Sequence, residues 1–493
     1  MKQGRGAVLA IDLGTGSCKG ALYSLDGEQV AISARAYDVR YPQPGFAEQS
    51  PGDYLKAPQL VSDELCATAR VAGLAIIAVS FSTQTPTLVF CDEHLNPVRP
   101  AIIWQDSRAV QQAELLKQLA SEVERREWFG MDLPLSAAST PAKLMWMARQ
   151  EPEAWDRTRW VLQPKDYAAA ALTGEEPATD GWCAKGLAHV ETRTVAPEFL
   201  ATLGKSESPC PRVLLPSDQV GVVTHEASKH WGIPAGVPVM VGWSDATAGM
   251  LSTGACEVAG RGFIITGTSE IIGTSRRSPA SHPGVFRVPA HLLPDRNLEL
   301  HFGPTQAGGS AVDWLARISG RTTAELLDLV PSDPQPTPIL FRPHLAGERA
   351  PYWDHSLTAS FDGLRIEHGL SDLAVAVLQG IALQERLVLQ CAELDWPAAE
   401  VVVAGGAARH QAWNQVRANI LQRPLLAMRD LEASLRGAAM IGWAGMGAID
   451  LKRLPACWFA TDPLDPAPEW ASFARDLMER FAQPSAGSWR VAR

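Results

Sequence analysis

The chain has 493 residues, a formal net charge of −10 and an apolar fraction of 46%. That length exceeds one ordinary core and argues two large domains. The acidic balance, with no dense Lys/Arg cluster, argues against a protein that binds nucleic-acid backbone. Eight cysteines never form a CxxC pair, so they read as reduced, small buried hydrophobes rather than a disulfide framework or a zinc site. The eleven histidines make no HxxxH pair or Cys/His cluster, and no transition-metal site is expected. Asp12 interrupts the first apolar run too early for a secretory signal. The longest apolar stretch, 71–81, is too short to span a bilayer. A cytoplasmic protein is expected.

The run Val8-Leu9-Ala10-Ile11 suits a buried strand. Asp12 closes it, Gly14 and Gly16 permit a tight turn, and Thr15, Ser17 and Lys19 supply donors for a phosphate. A dinucleotide fingerprint would need a helix next. Residues 19–25 instead alternate polar and apolar, which predicts a second strand, and Asp26-Gly27 turns into a third over 30–39. Ser50-Pro51 reads as the cap of a helix to about Arg70. Strands are predicted over 75–82, 87–92 and 101–104, and helices over 107–121, 140–149 and 164–172. The alternation argues an α/β architecture.

Near Gly236 the pattern restarts. Residues 237–241 read as a strand, Gly242-Trp243-Ser244-Asp245 follows, and 262–272 reads as strand, Gly267-Thr268-Ser269 turn, strand. This weakly repeats the first hairpin. Two such hairpins facing each other across a cleft would grip one polyphosphate from both sides. Four prolines in 331–338 suit a rigid surface connection. Ser371 reads as the cap of a long helix to about Leu394, with Leu373, Val377, Ile381 and Val388 at core-facing spacing. Residues 401–404 read as a buried strand, 432–445 as a small-residue helix able to pack closely, and the last forty or so residues as a helix and a loose end.

Asp245 follows a buried strand beside small residues that leave room for a substrate. A carboxylate there suits a base that accepts a hydroxyl proton as the alcohol attacks phosphorus. Asp is also a favoured helix cap, and spacing alone does not separate the two roles. Asp12, beside the phosphate turn, suits a water-rich Mg²⁺ site. Gly267-Thr268 offers amides and a hydroxyl to a γ-phosphate. Trp104, Asp106 and Arg108 combine an aromatic plane with hydrogen-bonding groups, as a polyol requires, or form a surface turn with an Asp–Arg pair. Gln84-Thr85-Pro86 ends another strand of the same set and offers further polar contacts. Gly405-Gly406 allows a flat heterocycle close approach, and Gly308-Gly309-Ser310 does the same for a ribose.

In this order the segments AIDLGTGSCKG (10–20), PGFAEQSP (44–51), RPAIIWQDSRA (99–109), PKDYAAAALTG (164–174), GWSDATAG (242–249), GTSEII (267–272), FRPHLAGERAPYWD (341–354), AGGAARHQAWNQ (404–415) and EASLRGAA (432–439) resemble the FGGY carbohydrate kinases, of the sugar-kinase/Hsp70/actin superfamily. The resemblance implies an α/β fold of two ribonuclease-H-like domains with a cleft between them, closing on ATP-Mg²⁺ and a sugar. It places an N-terminal domain over 7–250, a C-terminal domain over 251–450, and a C-terminal helix and tail over 451–493. It implies Asp245 as catalytic base and a sugar site near Gln84, Thr85, Trp104 and Asp106. It implies ATP contacts at Thr15, Lys19, Gly267, Thr268, Gly309, Gly405 and Gly406; Ser17 joins them as a donor of the first turn. Within the family the look is that of the pentulose kinases, with sugar-acid-kinase touches at Ser244-Asp245 and at 432–439. The implied acceptor is a pentulose such as D-xylulose, or else a sugar acid such as gluconate. Neither nucleic acid nor a membrane is a partner, and a homodimer stays open. One departure stands out: such kinases usually carry Met-His after the glutamine, where this chain has Thr85-Pro86. A sugar sensor without catalysis, or an Hsp70-like ATPase, are the readings from other classes.

Overall fold

The structure, a computed structural model, describes residues 5–277, 282, 284–392 and 400–482. The chain divides into two compact units. One takes the chain as far as Ser252 and then Ser434–Trp458; the other takes Thr253–Ala433 and the chain from Phe459 onward.

The first unit is built on a seven-stranded sheet. Strands β1 (Arg5–Leu13), β2 (Ser17–Ser24) and β3 (Gln29–Ala36) form an antiparallel meander. Helix α1 (Asp53–Val71) then crosses over to β4 (Leu74–Thr83), parallel to β1, as a parallel connection requires. Gly20 lets α1 sit close: a Cβ there would overlap Val61 and touch Leu65, both buried. Helices α2 (Thr140–Gln150) and α3 (Pro164–Thr173) follow. Strand β5 (Gln219–Val222) pairs antiparallel with β6 (Pro238–Met240), and both β6 and β7 (Trp243–Ser244) run parallel to β4. Helix α4 (Asp245–Ser252) starts directly after β7.

The second unit repeats this order. Strands β8 (Gly262–Thr266) and β9 (Glu270–Arg276) form the hairpin, β10 (Phe286–Val288) lies at the edge, and β11 (Glu299–Pro304) pairs antiparallel with β9 and β10. Helices α5 (Gly309–Ile318) and α6 (Leu370–Cys391) precede β12 (Val401–Gly405), which runs parallel to β8. Then β13 (Leu425–Met428) is parallel to β12 and β14 (Thr461–Leu464) antiparallel to β13. Strand for strand, β11-β9-β8-β12-β13-β14 matches β3-β2-β1-β4-β6-β5. The weak repeat in the sequence is therefore a repeated fold, the two-domain α/β architecture that the sequence implies.

Local signals misplaced several ends. Ser50 does not cap α1: residues 50–53 form a turn, with Asp53 N–H on the Ser50 carbonyl, and the N-cap is Gly52. Ser371 does not cap α6 either. Its hydroxyl donates to the Leu329 carbonyl at 2.9 Å, while Asp372 accepts from the Gly369 N–H at 2.8 Å. The helix expected over 107–121 is Val110–Leu119, and Ser121 instead caps a separate helix, Glu122–Phe129, through a reciprocal bond with Glu124. The predicted end of α6 beyond 392 and the tail after 482 lie outside the described residues. Among the described residues no helix is long and apolar enough to cross a membrane.

The sequence assigned the helix Ala433–Gly445 to the C-terminal half, yet it packs on the first unit. A Cβ on Gly437 would overlap the Ala248 carbonyl of α4, and one on Gly442 would press on Val8 of β1. Trp443 donates its indole N–H to the Tyr23 carbonyl at 3.3 Å. Missing side chains at 437 and 442 thus set the approach distance. Gly437→Ala gains about 1 kcal/mol of helix propensity and loses about 1–3 kcal/mol to overpacking against rigid backbone. The clash is expected to win, so the variant should melt below the wild type in a thermal unfolding scan; an equal or higher midpoint would contradict this packing.

Candidate active site

Strand register brings two acids together in the first unit. Asp12 pairs with Ser82 across β1 and β4, and Ser82 pairs with Trp243 of β7. Parallel strands end at one edge, so Asp12 and Asp245 both emerge at the carboxyl ends, where open α/β sheets place their ligands. Ser82 donates its hydroxyl to Asp12 Oδ1 at 2.6 Å and fixes that carboxylate. Gly242 makes the crossing possible: its φ is +75°, and a Cβ there would overlap the Phe81 carbonyl.

The two roles left open for Asp245 separate here. Ser244 is the residue that caps α4, its Oγ accepting from the Thr247 N–H at 3.2 Å. Asp245 is therefore not spent on capping. Its Oδ1 accepts from the Ala246 N–H at 2.7 Å, and its backbone carbonyl accepts from the Ser434 hydroxyl at 3.2 Å. Burial, then the charge of Asp12, push its carboxyl up to about 7, against the pull of the Ala246 N–H and of Lys185. An acid tuned to neutrality takes up a proton at working pH, as a general base must.

The first hairpin turn is braced from several sides. The Tyr37 hydroxyl donates to the Gly14 carbonyl at 2.5 Å, Gln49 Nε2 donates to the Thr15 carbonyl at 2.7 Å, and Trp104 Nε1 donates to Thr15 Oγ1 at 2.9 Å. Ser17 and Lys19 are half-buried on β2, Lys19 opposite Asp12 in the ladder. Gln84 is buried and donates to Gln49 Oε1 at 2.7 Å and to the Tyr54 hydroxyl at 3.3 Å. Thr85 donates to Gln163 Oε1 at 3.2 Å. The Lys143 ammonium, wholly buried, ties the two loops together through the Pro86 carbonyl at 3.2 Å and the Ile103 carbonyl at 2.7 Å. Thr15, Gln84, Thr85 and Trp104 thus belong to one bonded region.

Asp106 sits differently from the open carboxylate that a sugar contact suggests. It is buried, its Oδ2 accepts from the Ala47 N–H at 2.6 Å, and it holds Arg108 at 2.8 Å. Arg108 also pairs with Glu48 at 2.7 Å and lies 3.8 Å over the Phe46 ring. The Asp–Arg pair is real, but it is internal scaffolding behind Trp104 rather than a surface turn. Sequence reasoning missed Gln49, Lys143 and Gln163. Gln49 lies inside a quoted segment and Gln163 just before one; nothing in the spacing marked Lys143.

In the second unit Gly267 and Thr268 form the exposed turn between β8 and β9. The start of α5 docks on that turn, Gly309 N–H to the Gly267 carbonyl at 2.9 Å and Ser310 N–H to the Thr268 carbonyl at 3.0 Å. Gly405 ends β12 opposite Thr266 with φ +89°, a conformation suited to glycine. Thr266 Oγ1 accepts from the Ala407 N–H at 3.0 Å, which fixes the turn, and a Cβ on Gly406 would meet nothing within 4 Å. Gly267, Thr268, Gly309, Gly405 and Gly406 therefore gather at one edge of one sheet.

Comparison with known proteins agrees with this layout. Residues 7–252 match the N-terminal domain, and residues 262–446 the C-terminal domain, of the FGGY family of carbohydrate kinases. A xylulose kinase of Escherichia coli K12 is 30% identical over 84% of this chain and 84% of its own. A gluconokinase of Bacillus subtilis 168 is 25% identical over 90% of this chain and 88% of its own. The crystal structure of a xylulose kinase from Rhodospirillum rubrum superposes with a TM-score of 0.82, at 26% identity, over 97% of both chains. The chain belongs to the FGGY family of carbohydrate kinases. It is a phosphotransferase that acts on a sugar hydroxyl.

The Asp106 scaffold gives a test. Removing one partner of a buried pair costs about 3 kcal/mol or more, so Asp106→Ala should lower the urea midpoint markedly. A variant with wild-type stability and only a raised sugar KM would show an open, substrate-facing carboxylate instead.

Proposed function

We propose that the chain is an ATP-dependent pentulose kinase, transferring the γ-phosphoryl group of ATP to a hydroxyl of a sugar such as D-xylulose. The observation that carries the mechanism is Asp245, a carboxyl poised at about 7 beside a second acid at the strand ends. Family membership and the similarity to the E. coli xylulose kinase support the substrate. The match to a gluconokinase, together with Thr85-Pro86 in place of Met-His, keeps sugar acids as the second acceptor to assay.

Asp245 accepts the proton of the attacking hydroxyl. Gln84, Thr85 and Trp104 face the sugar, and Asp106 holds the Trp104 loop through Arg108. Thr15, Ser17 and Lys19 cradle phosphate; Gly267, Thr268, Gly309, Gly405 and Gly406 take the nucleotide. Among the described residues no group of three or more His, Cys, Asp or Glu is set to hold a metal. Asp12 suits Mg²⁺ all the same, because that ion keeps several waters and takes one or two carboxylates plus substrate phosphate. Bound there, Mg²⁺ would neutralise phosphate charge.

Asp245→Asn is expected to cut kcat by about 100-fold or more, the usual weight of a general base, with sugar affinity kept within a few-fold. Near-normal turnover would refute the role. The pH dependence has a definite sign. The base works ionised, so kcat/KM of the wild type should rise with pH through a limb near 7 and fall away below it. A flat profile from pH 5 to 8 would contradict it.

A further inference from the structure

Residues 180–188 form a loop that no motif marked. Asp180 ends a short strand, Ala178–Asp180, and is buried. Its Oδ1 accepts from the amides of Trp182 at 2.8 Å and Cys183 at 3.0 Å, and its Oδ2 pairs with the buried Lys165 ammonium at 3.1 Å. Gly186 has φ +77°, and a Cβ there would meet Pro141 Cδ at 2.8 Å. The path of the loop is thus set from within.

One buried side chain joins this loop to the turn after β4. Gln163 Oε1 accepts from Thr85 Oγ1 at 3.2 Å and from the Thr87 N–H at 3.0 Å, while its Nε2 donates to the Cys183 carbonyl at 3.5 Å. Two residues past Cys183 stands Lys185. Its side chain is half-buried, its ammonium lies 4.3 Å from the Trp182 ring centroid, and it donates to the Trp182 carbonyl at 3.3 Å. An ammonium carries three donors, and this one makes no ion pair among the described residues. Burial draws Lys185 below the usual lysine value while Cys183, Asp180 and, least, Asp245 oppose that shift, and Lys185 in turn lowers Asp245. Lys185 and Asp245 thus influence one another's charge. The loop that carries Lys185 is tied through the Gln163 amide to the turn that carries Thr85.

We propose that Lys185 is a substrate-contacting residue, its ammonium donating to an oxygen of the acceptor sugar next to the hydroxyl that faces Asp245. This rests on reading the Asp245 site as the sugar site. The test is sugar binding without nucleotide, by titration calorimetry with D-xylulose and with D-gluconate, on the full chain and on Lys185→Met and Lys185→Arg. A charged donor to a ligand oxygen is worth roughly tenfold or more in affinity. For whichever sugar the wild type binds, Lys185→Met should raise Kd by at least that factor and Lys185→Arg by less, with the KM for ATP unchanged. Wild-type sugar affinity in Lys185→Met overturns the proposal, and so does a wild type that binds neither sugar. If Lys185→Met fails to fold, the same criteria apply to Lys185→Gln. The two ideas fail separately: an Asp245→Asn protein with normal turnover sinks the base, yet leaves the calorimetric comparison at position 185 standing.

Discussion

Burial of the Asp245 carboxyl, with the charge of Asp12 beside it, is the constraint on which the site in the first unit depends. Two carboxylates at neighbouring strand ends cannot both ionise cheaply in a half-buried site. The fold accepts that cost by fixing each acid separately, Asp12 through Ser82 and Asp245 through the Ala246 N–H. Ser244 takes the capping duty that would otherwise absorb Asp245. The outcome is one carboxyl pushed up to about 7, at the same sheet edge as a glycine-rich turn. A single choice of strand register places this carboxyl and the turn together there.

The repeated topology explains why such a site recurs in kind but not in detail. Each unit opens with a hairpin whose turn is rich in glycine, and each follows it with parallel strands. In the first unit Asp12 lies near the end of β1 and Asp245 directly after β7. The second carries bare glycine backbone at 405 and 406, with open space beside Gly406. One scaffold thus carries acids at the edge of the first unit and glycines at the equivalent edge of the second.

Much of this was legible in the sequence because it is local. Apolar runs ending on an acid and a Gly/Thr/Ser turn located β1, β2, β8 and β9, and the glycines at 405 and 406 marked the end of β12. Spacing alone left Asp245 as either a base or a cap, and the resemblance implied the base; the position of the Ser244 hydroxyl shows that Asp245 is not the cap. Asp106 was legible as a carboxylate beside an arginine, but not as buried, because its partner Ala47, and Glu48 that pairs with Arg108, come from about sixty residues away. Lys143 and Gln163 were silent for the same reason. Each acts through loops remote in sequence, and no period or motif records such contacts. The return of 433–445 to the first unit was foreshadowed by its small residues, which said that something packs closely without saying what.

Carboxyl-resolved NMR titration of Asp245, in the wild type and in Asp12→Asn, measures the central interaction directly. The account predicts a midpoint near 7 in the wild type and a clear downward shift once the neighbouring charge is removed. A wild-type midpoint near the ordinary aspartate value of about 4, unmoved by Asp12→Asn, would contradict it.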